Sequence, residues 1–256
     1  GFAASTFMRG VRFAQVPTSL LAMVDASVGG KTAVDLPEGK NLVGAFKQPA
    51  GVTIDPTVLG TLEEAEFRSG MAEVIKHTVI GNPDLFAELK EMGRRAATGD
   101  IRNTLAAAQI ARALHVKIDI VEDDPYERGR RAVLNLGHTV GHALERLSQF
   151  ELRHGEAVSV GMIAAARIAA SMGRADPSVP KDLEATLTAW GLPTSCFVPE
   201  WPQFRADAIW QAMGHDKKRR GDTLRWVLPL AIGEVAVVDD VPRQTVIDTL
   251  REMGAD

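Results

Sequence analysis

Four polar side chains recur at helical spacing in the middle of the chain, at positions where a core-facing helix would carry leucine. Arg131, Asn135, His138 and His142 fall at i, i+4, i+7 and i+11. This spacing predicts one continuous helix with all four side chains on a single face. Most other positions of the segment are apolar, which indicates a buried helix whose polar face lines an enclosed site. A simpler interpretation is a buried helix with hydrogen-bonded core histidines.

Histidine is concentrated in the same region. Three of the six histidines, the third being His154, lie between residues 138 and 154. Imidazole is the commonest neutral metal ligand, and catalytic zinc sites combine histidines with a further ligand while leaving one coordination position open. The combination with Arg131 and Asn135 favours a catalytic metal site over core histidines.

A carboxylate and two lysines occupy apolar surroundings on predicted helices. Glu73 and Lys76 lie three residues apart in a helix predicted over 63–80. On a solvated helix they would form an ordinary salt bridge, but their apolar neighbours favour partial burial and a ligand role. Lys117 lies in a helix predicted over 101–121, where its ammonium requires an anionic partner.

The segment Asp25-Ala-Ser-Val-Gly-Gly-Lys-Thr32 is similar to the end of a phosphate-binding P-loop. That motif requires glycine where this chain has Asp25, so a nucleotide-hydrolase site is excluded. Two interpretations remain. Either the glycine pair lets the backbone approach a ligand beside Lys31, or it forms a simple turn with a solvated lysine.

Short strands and helices alternate at the start of the chain. We predict a helix over 1–8, a buried strand over 11–16, a helix over 18–26 capped by Thr18, and a strand over 52–55. From residue 63 onward helices dominate, with further helices at about 84–97, 155–173, 181–190, 205–214 and 243–253 and a hairpin of 224–228 with 234–238. The acidic segment 122–125 is expected to be a solvated turn. The sequence therefore predicts an α/β segment over 1–57 and a mainly α-helical domain over 58–256.

Composition limits the partners that this chain can have. The net charge is −4 over 256 residues with both signs mixed throughout, so we expect neither nucleic-acid nor membrane binding. Cys196 is the only cysteine, which excludes an internal disulfide and favours a reducing, cytoplasmic compartment. The chain opens at Gly1 without a methionine, so we expect a segment upstream.

Several motifs together give the chain a resemblance to the 3-dehydroquinate synthase family of sugar-phosphate cyclases. They are Arg-Gly-Val-Arg-Phe-x-Gln-Val-Pro-Thr at 9–18, Asp-x-Ser-Val-Gly-Gly-Lys-Thr at 25–32, Gly-Lys-Asn at 39–41, Phe-Arg-Ser-Gly-Met-Ala-Glu-Val-Ile-Lys at 67–76, Leu-Asn-Leu-Gly-His-Thr-Val-Gly-His-Ala at 134–143 and His-Gly-Glu-Ala-Val at 154–158. The resemblance implies a dehydroquinate synthase-like fold, in which residues 1–57 are the remnant of an NAD-binding domain and residues 58–256 bind metal and substrate. The family's glycine-rich pyrophosphate turn would precede Gly1, so we expect this chain alone to bind NAD weakly.

The resemblance also implies a role for each motif residue. One divalent metal, zinc or cobalt, is expected on Glu73, His138 and His154. The substrate phosphate is expected on Arg9, Lys31, Asn41 and Lys76. The substrate carboxylate is expected on Arg131, Asn135 and one of Lys217 and Lys218. Further pocket residues are Asp25, Lys117 and the proton carrier His142. The residues expected to contact NAD are Thr18, Ser19, Lys40, Thr61 and Ser69.

The implied reaction converts 3-deoxy-D-arabino-heptulosonate 7-phosphate to 3-dehydroquinate and phosphate, the second step of the shikimate pathway. NAD transiently oxidises a hydroxyl, phosphate is eliminated, the ketone is reduced again, and an aldol reaction closes the ring. The resemblance also implies that the chain forms a homodimer, in which Arg9 of one subunit reaches the active site of its partner. The alternatives are another sugar-phosphate cyclase, a polyol dehydrogenase of the same fold, and a truncated domain that binds metal without turnover.

Overall fold

The computed structural model describes residues 1–36, 39–96, 105–217 and 224–256, apart from the side chains at 39–41, 95–96 and 215–217. Within these ranges the strands pair into three two-stranded sheets. Helices form the larger part of the molecule.

The first 57 residues contain a short parallel sheet and an antiparallel hairpin. Their elements are α1 (Phe2–Thr6), a 3₁₀ turn (Phe7–Arg9), β1 (Ala14–Gln15), a π-helical turn (Ala22–Ala26), β2 (Lys31–Leu36), β3 (Gly39–Phe46) and β4 (Gly51–Val52). β1 pairs with β4 in parallel, with Ala14 opposite Gly51. Because parallel strands require a crossover connection, this pairing confirms the predicted α/β character.

Several local predictions for this segment were wrong. The buried strand predicted over 11–16 is only two residues long, Ala14–Gln15. Val16, which was predicted to be buried in it, is 68% exposed. The first helical turn begins with Ser19, whose hydroxyl accepts a hydrogen bond from Ala22 N at 3.3 Å, so Ser19 takes the capping role predicted for Thr18. The β2–β3 hairpin was not predicted, because the glycine pair before it carries no strand pattern.

The helical part follows a 3₁₀ turn at Pro56–Thr61. Its elements are α2 (Glu64–Gly81), α3 (Pro83–Ala96), α4 (Ala107–Asp123), a 3₁₀ turn (Arg130–Asn135), α5 (His138–Leu147), α6 (His154–Ser171), α7 (Ser178–Ala189), α8 (Ala206–Lys217), β5 (Trp226–Ala231), β6 (Glu234–Val238) and α9 (Arg243–Glu252). Apart from the segment 131–142, these elements match the predicted helices and hairpin to within a few residues over most of their length. Helix α4 begins at Ala107 and not at residue 101, and residues 97 and 101–104 lie outside the described ranges.

Helices α2 and α6 form the centre of the core. Each is buried around most of its circumference, as expected for helices enclosed by other elements. The two approach closely at Gly155, where an added Cβ would lie 1.9 Å from the carbonyl oxygen of Ser69. Helix α6 also packs against α5, α7, α9 and β5. The two central helices therefore sit in fixed register, which sets the relative positions of their side chains.

The predicted continuous helix over residues 131–142 is interrupted in the structure. Gly137 separates the 3₁₀ turn from α5 and has a φ of +81°, a conformation that favours glycine. A Cβ at this position would also lie 2.7 Å from the carbonyl oxygen of Val158. Arg131 and Asn135 therefore lie on a different element from His138 and His142, which remain one turn apart on α5. Among the described residues, every helix is too short or too polar to cross a bilayer.

Candidate metal centre

One glutamate and two histidines converge where α2, α5 and α6 meet. Glu73 lies in the middle of α2, His138 is the first residue of α5, and His154 is the first residue of α6. Nε2 of His154 is 3.2 Å from Oε1 of Glu73, and Nε2 of His138 is 3.8 Å from the same oxygen. One ligand atom of each residue lies within 4.8 Å of the others. Residues that are distant in the sequence thus form a single compact group.

Both imidazoles present the same nitrogen to the centre of this group. Nδ1 of His138 is 3.1 Å from the carbonyl oxygen of Leu136, and this contact requires a proton on Nδ1. Nδ1 of His154 is 3.5 Å from Oε1 of the buried Glu145. In both rings Nδ1 faces a protein oxygen, so Nε2 is left to face Glu73. This arrangement is typical of histidines that bind a metal.

The electrostatic surroundings keep the carboxylate charged. Burial raises the pKa of Glu73, but the Lys76 ammonium, with which Glu73 forms an ion pair, and the nearby imidazoles lower it well below its usual value. Burial and the same ammonium lower the pKa of His138 to about 3, so this ring is neutral at pH 7. For His154 burial lowers the pKa, but Glu145 and Glu73 outweigh burial and raise it to about 9. A metal must therefore displace a proton from His154 at neutral pH.

This donor set fits a divalent cation. Two imidazole nitrogens and one carboxylate oxygen are the ligands of many catalytic zinc sites, and three protein ligands leave a position for substrate. The buried carboxylate of Glu73 supplies the negative charge that a cation requires. Both the donor chemistry and the geometry therefore suit one metal ion.

A second group of possible ligands consists of Asp25, Glu73 and His77. One ligand atom of each also lies within 4.8 Å of the others. Its two carboxylates are already paired with ammonium groups, Asp25 with Lys117 and Glu73 with Lys76. A cation placed here would lie beside two positive charges, and their repulsion disfavours a second metal.

The Lys117 side chain finds the anionic partner that its buried position requires. Its Nζ donates to Oδ1 of Asp25 at 2.7 Å and also to the carbonyl oxygen of the same residue. Burial lowers the pKa of Lys117, and the Asp25 carboxylate opposes that shift. The pair connects α4 to the turn that follows β1 and lies beside Glu73.

The acidic segment predicted as a solvated turn is exposed at Glu122, Asp123 and Pro125, and it continues into an ordered loop over residues 124–131. Asp124 accepts hydrogen bonds from the backbone N–H groups of Arg128, Gly129 and Arg131 at 2.7 to 3.0 Å. The Arg131 guanidinium donates to the carbonyl oxygens of Gly29 at 2.8 Å and Pro125 at 2.7 Å. The loop thus ties this arginine to the glycine pair before β2.

Glu127 connects the predicted substrate residues on either side of this loop. It forms an ion pair with Lys31, and its Oε1 accepts a hydrogen bond from Asn135 Nδ2 at 3.1 Å. Its φ of 55° is unusual for a residue other than glycine. The structure therefore brings Lys31, Asn135 and Arg131 to one side of the site.

The remaining predicted residues lie further out or outside the description. His142 is exposed on α5, and its ring centroid is 5.1 Å from that of His138. Arg9 is exposed in the 3₁₀ turn after α1. Of the predicted NAD-binding residues, Thr18 and Thr61 are exposed, Ser19 caps the first helical turn, and Ser69 is buried with its hydroxyl accepting from Gly155 N at 2.9 Å. The side chains of Lys40, Asn41, Lys217 and Lys218 lie outside the described residues.

Three residues at the site were missed by the sequence reasoning. His77 lies one turn after Glu73, Glu145 lies two turns after His138, and Glu127 lies four residues before Arg131. Helical spacing from a predicted ligand would have identified the first two. No helical pattern identifies Glu127, because the residues around it are irregular.

The similarity to known proteins covers the whole chain. A family model described as 3-dehydroquinate synthase N-terminal matches residues 1–69, and one described as 3-dehydroquinate synthase C-terminal matches residues 70–219. The chain is 44% identical to 3-dehydroquinate synthase of Thermosynechococcus vestitus over 256 residues, which is all of this chain and 68% of that relative.

Two solved structures have a similar fold. One is 2-epi-5-epi-valiolone synthase from Streptomyces hygroscopicus with NAD⁺ and Zn²⁺ bound, with a TM-score of 0.86 and 26% identity over 99% of this chain and 69% of that one. The other is 2-deoxy-scyllo-inosose synthase complexed with carbaglucose-6-phosphate, NAD⁺ and Co²⁺, with a TM-score of 0.81 and 27% identity over 98% of this chain and 70% of that one.

Proposed function

We propose, since this chain belongs to the 3-dehydroquinate synthase family, that it converts 3-deoxy-D-arabino-heptulosonate 7-phosphate to 3-dehydroquinate and phosphate. The observation that carries the proposal is the convergence of Glu73, His138 and His154 beside the ammonium groups of Lys76 and Lys117. A metal centre next to basic groups suits a substrate that is anionic at both ends. This is the lyase reaction of the shikimate pathway, which leads to chorismate and the aromatic amino acids.

The chemistry divides between bound groups and the protein. When bound on Glu73, His138 and His154, a zinc or cobalt ion polarises a substrate hydroxyl, and NAD takes up and returns a hydride. The protein residues orient the substrate, neutralise its charge and move protons. The Arg131 guanidinium is held by two backbone carbonyls, so it presents its donors in a fixed orientation to a carboxylate.

We place the substrate phosphate near Lys31 and Lys76, together with Arg9 and Asn41. Lys31 lies at the start of β2 and is 53% exposed, so it can leave its ion pair with Glu127 for an incoming phosphate. Lys76 is paired with Glu73 in this structure, and a cation bound to Glu73 would weaken that pairing and strengthen the attraction of Lys76 for phosphate. We place the carboxylate near Arg131, Asn135 and one of the lysines 217 and 218.

Proton transfer is assigned to His142. It lies one turn after His138 on α5 and is exposed, so it can exchange protons with solvent. The departing phosphate can itself remove the proton next to the ketone, so the protein need not supply a carboxylate base. Lys117 and Asp25 complete the charged lining of the pocket.

Three further assignments belong to the same proposal. The chain is taken to form a homodimer in which Arg9 reaches the partner's phosphate site, since a bidentate guanidinium complements two lysines around a dianion. Cytoplasmic location is proposed because the chain has a single cysteine. The domain division is kept near residue 57, where Asp55 caps the 3₁₀ turn Pro56–Thr61 by accepting from Thr57 N at 3.0 Å.

The test is a phosphate-release assay with the heptulosonate phosphate, in the presence and absence of NAD and of a chelator. The proposal predicts release that requires both NAD and metal, with 3-dehydroquinate as product. Glucose 6-phosphate serves as the parallel substrate. Turnover of that hexose phosphate alone would indicate a different cyclase. No turnover of either substrate by a folded, metal-loaded chain would support the non-catalytic alternative.

A further inference from the structure

The buried carboxylate of Glu145 lies behind one of the two candidate metal-binding histidines. Glu145 is on α5 and is 3% exposed, and its Oε1 is 3.5 Å from Nδ1 of His154 at the start of α6. Nε2 of the same ring is 3.2 Å from Oε1 of Glu73. The imidazole of His154 therefore lies between two buried carboxylates, one on each ring nitrogen.

From this arrangement we infer that Glu145 is a positioning residue for the metal centre: it accepts the Nδ1 proton of His154 and fixes that ring with Nε2 directed at the metal. The inference rests on the proposed metal centre at Glu73, His138 and His154. Helix α5 then contributes to the metal centre in two ways. It supplies the ligand His138, and through Glu145 it orients the ligand His154.

The position of His154 explains why its ring requires such support. His154 is the first residue of α6, so no preceding helical turn restrains its side chain. Its side chain is 28% exposed, compared with 0% for Glu73. His138 is also the first residue of its helix, and there the carbonyl oxygen of Leu136 takes the corresponding place at Nδ1. Glu145 thus supplies the acceptor oxygen at Nδ1 of His154, as the Leu136 carbonyl does at Nδ1 of His138.

Helix stability does not account for a glutamate at this position. Residue 145 lies in the last turn of α5, where negative charge interacts unfavourably with the helix dipole. Glu145 is 3% exposed, and burying a carboxylate is costly unless it is paired. The imidazole of His154, at 3.5 Å, offers the carboxylate such a pairing.

The experiment measures metal affinity of the full 256-residue chain by competition with a chromophoric zinc chelator. Glu145→Gln keeps an acceptor oxygen and should bind zinc about 10-fold more weakly than the parent chain. Glu145→Leu keeps the bulk without the acceptor and should approach a 100-fold loss. Glu151→Gln is the matched control, because it makes the same change at an exposed glutamate between α5 and α6, and its affinity should stay within about twofold.

The absorption spectrum of the cobalt-loaded chain gives a second measurement. Displacement of His154 should shift the visible bands of Glu145→Leu, whereas the spectra of Glu145→Gln and Glu151→Gln should resemble that of the parent. If Glu145→Leu does not fold, the 10-fold difference at Glu145→Gln decides the question. Parent-like affinity and spectra in the folded Glu145 variants would overturn the inference while leaving the metal centre intact. A parent chain that binds no zinc would instead overturn the metal centre, and the inference with it.

Discussion

The ammonium of Lys117 lies 2.7 Å from Oδ1 of Asp25, although 92 residues separate the two in the chain. This pair connects helix α4 to the turn between β1 and β2, beside the buried Glu73. A second ion pair joins Glu73 to Lys76. The two carboxylates next to the metal centre are therefore each neutralised by one ammonium group, Asp25 by Lys117 and Glu73 by Lys76.

The first prediction is a pH dependence caused by this pair. Burial raises the pKa of Asp25, but the neighbouring ammonium groups outweigh burial and lower it from 3.8 to about 2. Because the folded pKa is the lower one, the stabilisation is fully present above pH 3.8 and is lost as the pH falls towards 2. The gain at neutral pH is about 2 kcal/mol.

Denaturant unfolding of the parent and of Asp25→Asn measures this contribution. The difference in their free energies of unfolding should shrink by about 1 to 2 kcal/mol between pH 5.5 and pH 2.5. Asp248→Asn, on the exposed face of α9, is the control and should show no such change. A difference for Asp25→Asn that is constant with pH would contradict the assigned pairing.

The second prediction concerns the contact of α2 with α6 at Gly155. An alanine Cβ there would lie 1.9 Å from the Ser69 carbonyl oxygen, so the helices must separate. Gly155→Ala should lower the free energy of unfolding by about 1 to 3 kcal/mol. It should also weaken zinc binding, because Glu73 and His154 lie on the two displaced helices.

Gly214→Ala on α8 is the matched control, since a Cβ there meets nothing within 4 Å. This substitution should leave stability unchanged or raise it by up to about 1 kcal/mol. Equal stability of Gly155→Ala and the parent would mean that the two helices pack less tightly than described.

The third prediction concerns the loop held by Asp124. Asp124→Ala removes the acceptor of three backbone hydrogen bonds and should loosen Arg131 without touching the metal ligands. We expect KM to rise roughly tenfold, the scale of one lost charge-assisted hydrogen bond, while zinc affinity stays unchanged. Asp123→Ala, which removes only an exposed pairing with Arg130, should leave both quantities unchanged. A loss of zinc affinity in Asp124→Ala would show that the loop supports the metal instead.

The fourth prediction tests the proposed homodimer. Subunits carrying Arg9→Ala and subunits carrying His138→Ala should each be inactive alone. When they are mixed, one site in each heterodimer combines an intact metal centre with an intact partner arginine, so part of the activity should return. Size measurements must confirm that the mixed subunits pair. If the mixed subunits pair but no activity returns, Arg9 acts in the active site of its own subunit.

The sequence was sufficient to locate the helices but not their breaks. Helix α2 was predicted almost to its ends because its apolar pattern is continuous. The segment from Arg131 to His142 has an equally good helical pattern, yet Gly137 interrupts it where the chain must pass close to Val158 on α6. That contact is tertiary, so no local pattern reveals it.

The same limit applies to the site. The motif match brought Glu73, His138 and His154 together as a hypothesis, and the structure places them in contact. The role of Asp124 could not be predicted, because its three partners are backbone N–H groups of an irregular loop. Glu145 could have been found by its helical spacing from His138, but its position behind His154 depends on how α5 packs against α6.

Metal binding by the parent chain and by His138→Ala tests the central claim most directly. The metal-free proteins are dialysed against zinc, and bound zinc is measured per chain. The account predicts about one ion per parent chain and, for His138→Ala, an affinity reduced by at least about 100-fold. His115→Ala, an exposed histidine on α4, should bind like the parent. Equal zinc binding by His138→Ala and the parent would contradict the assignment of the metal centre.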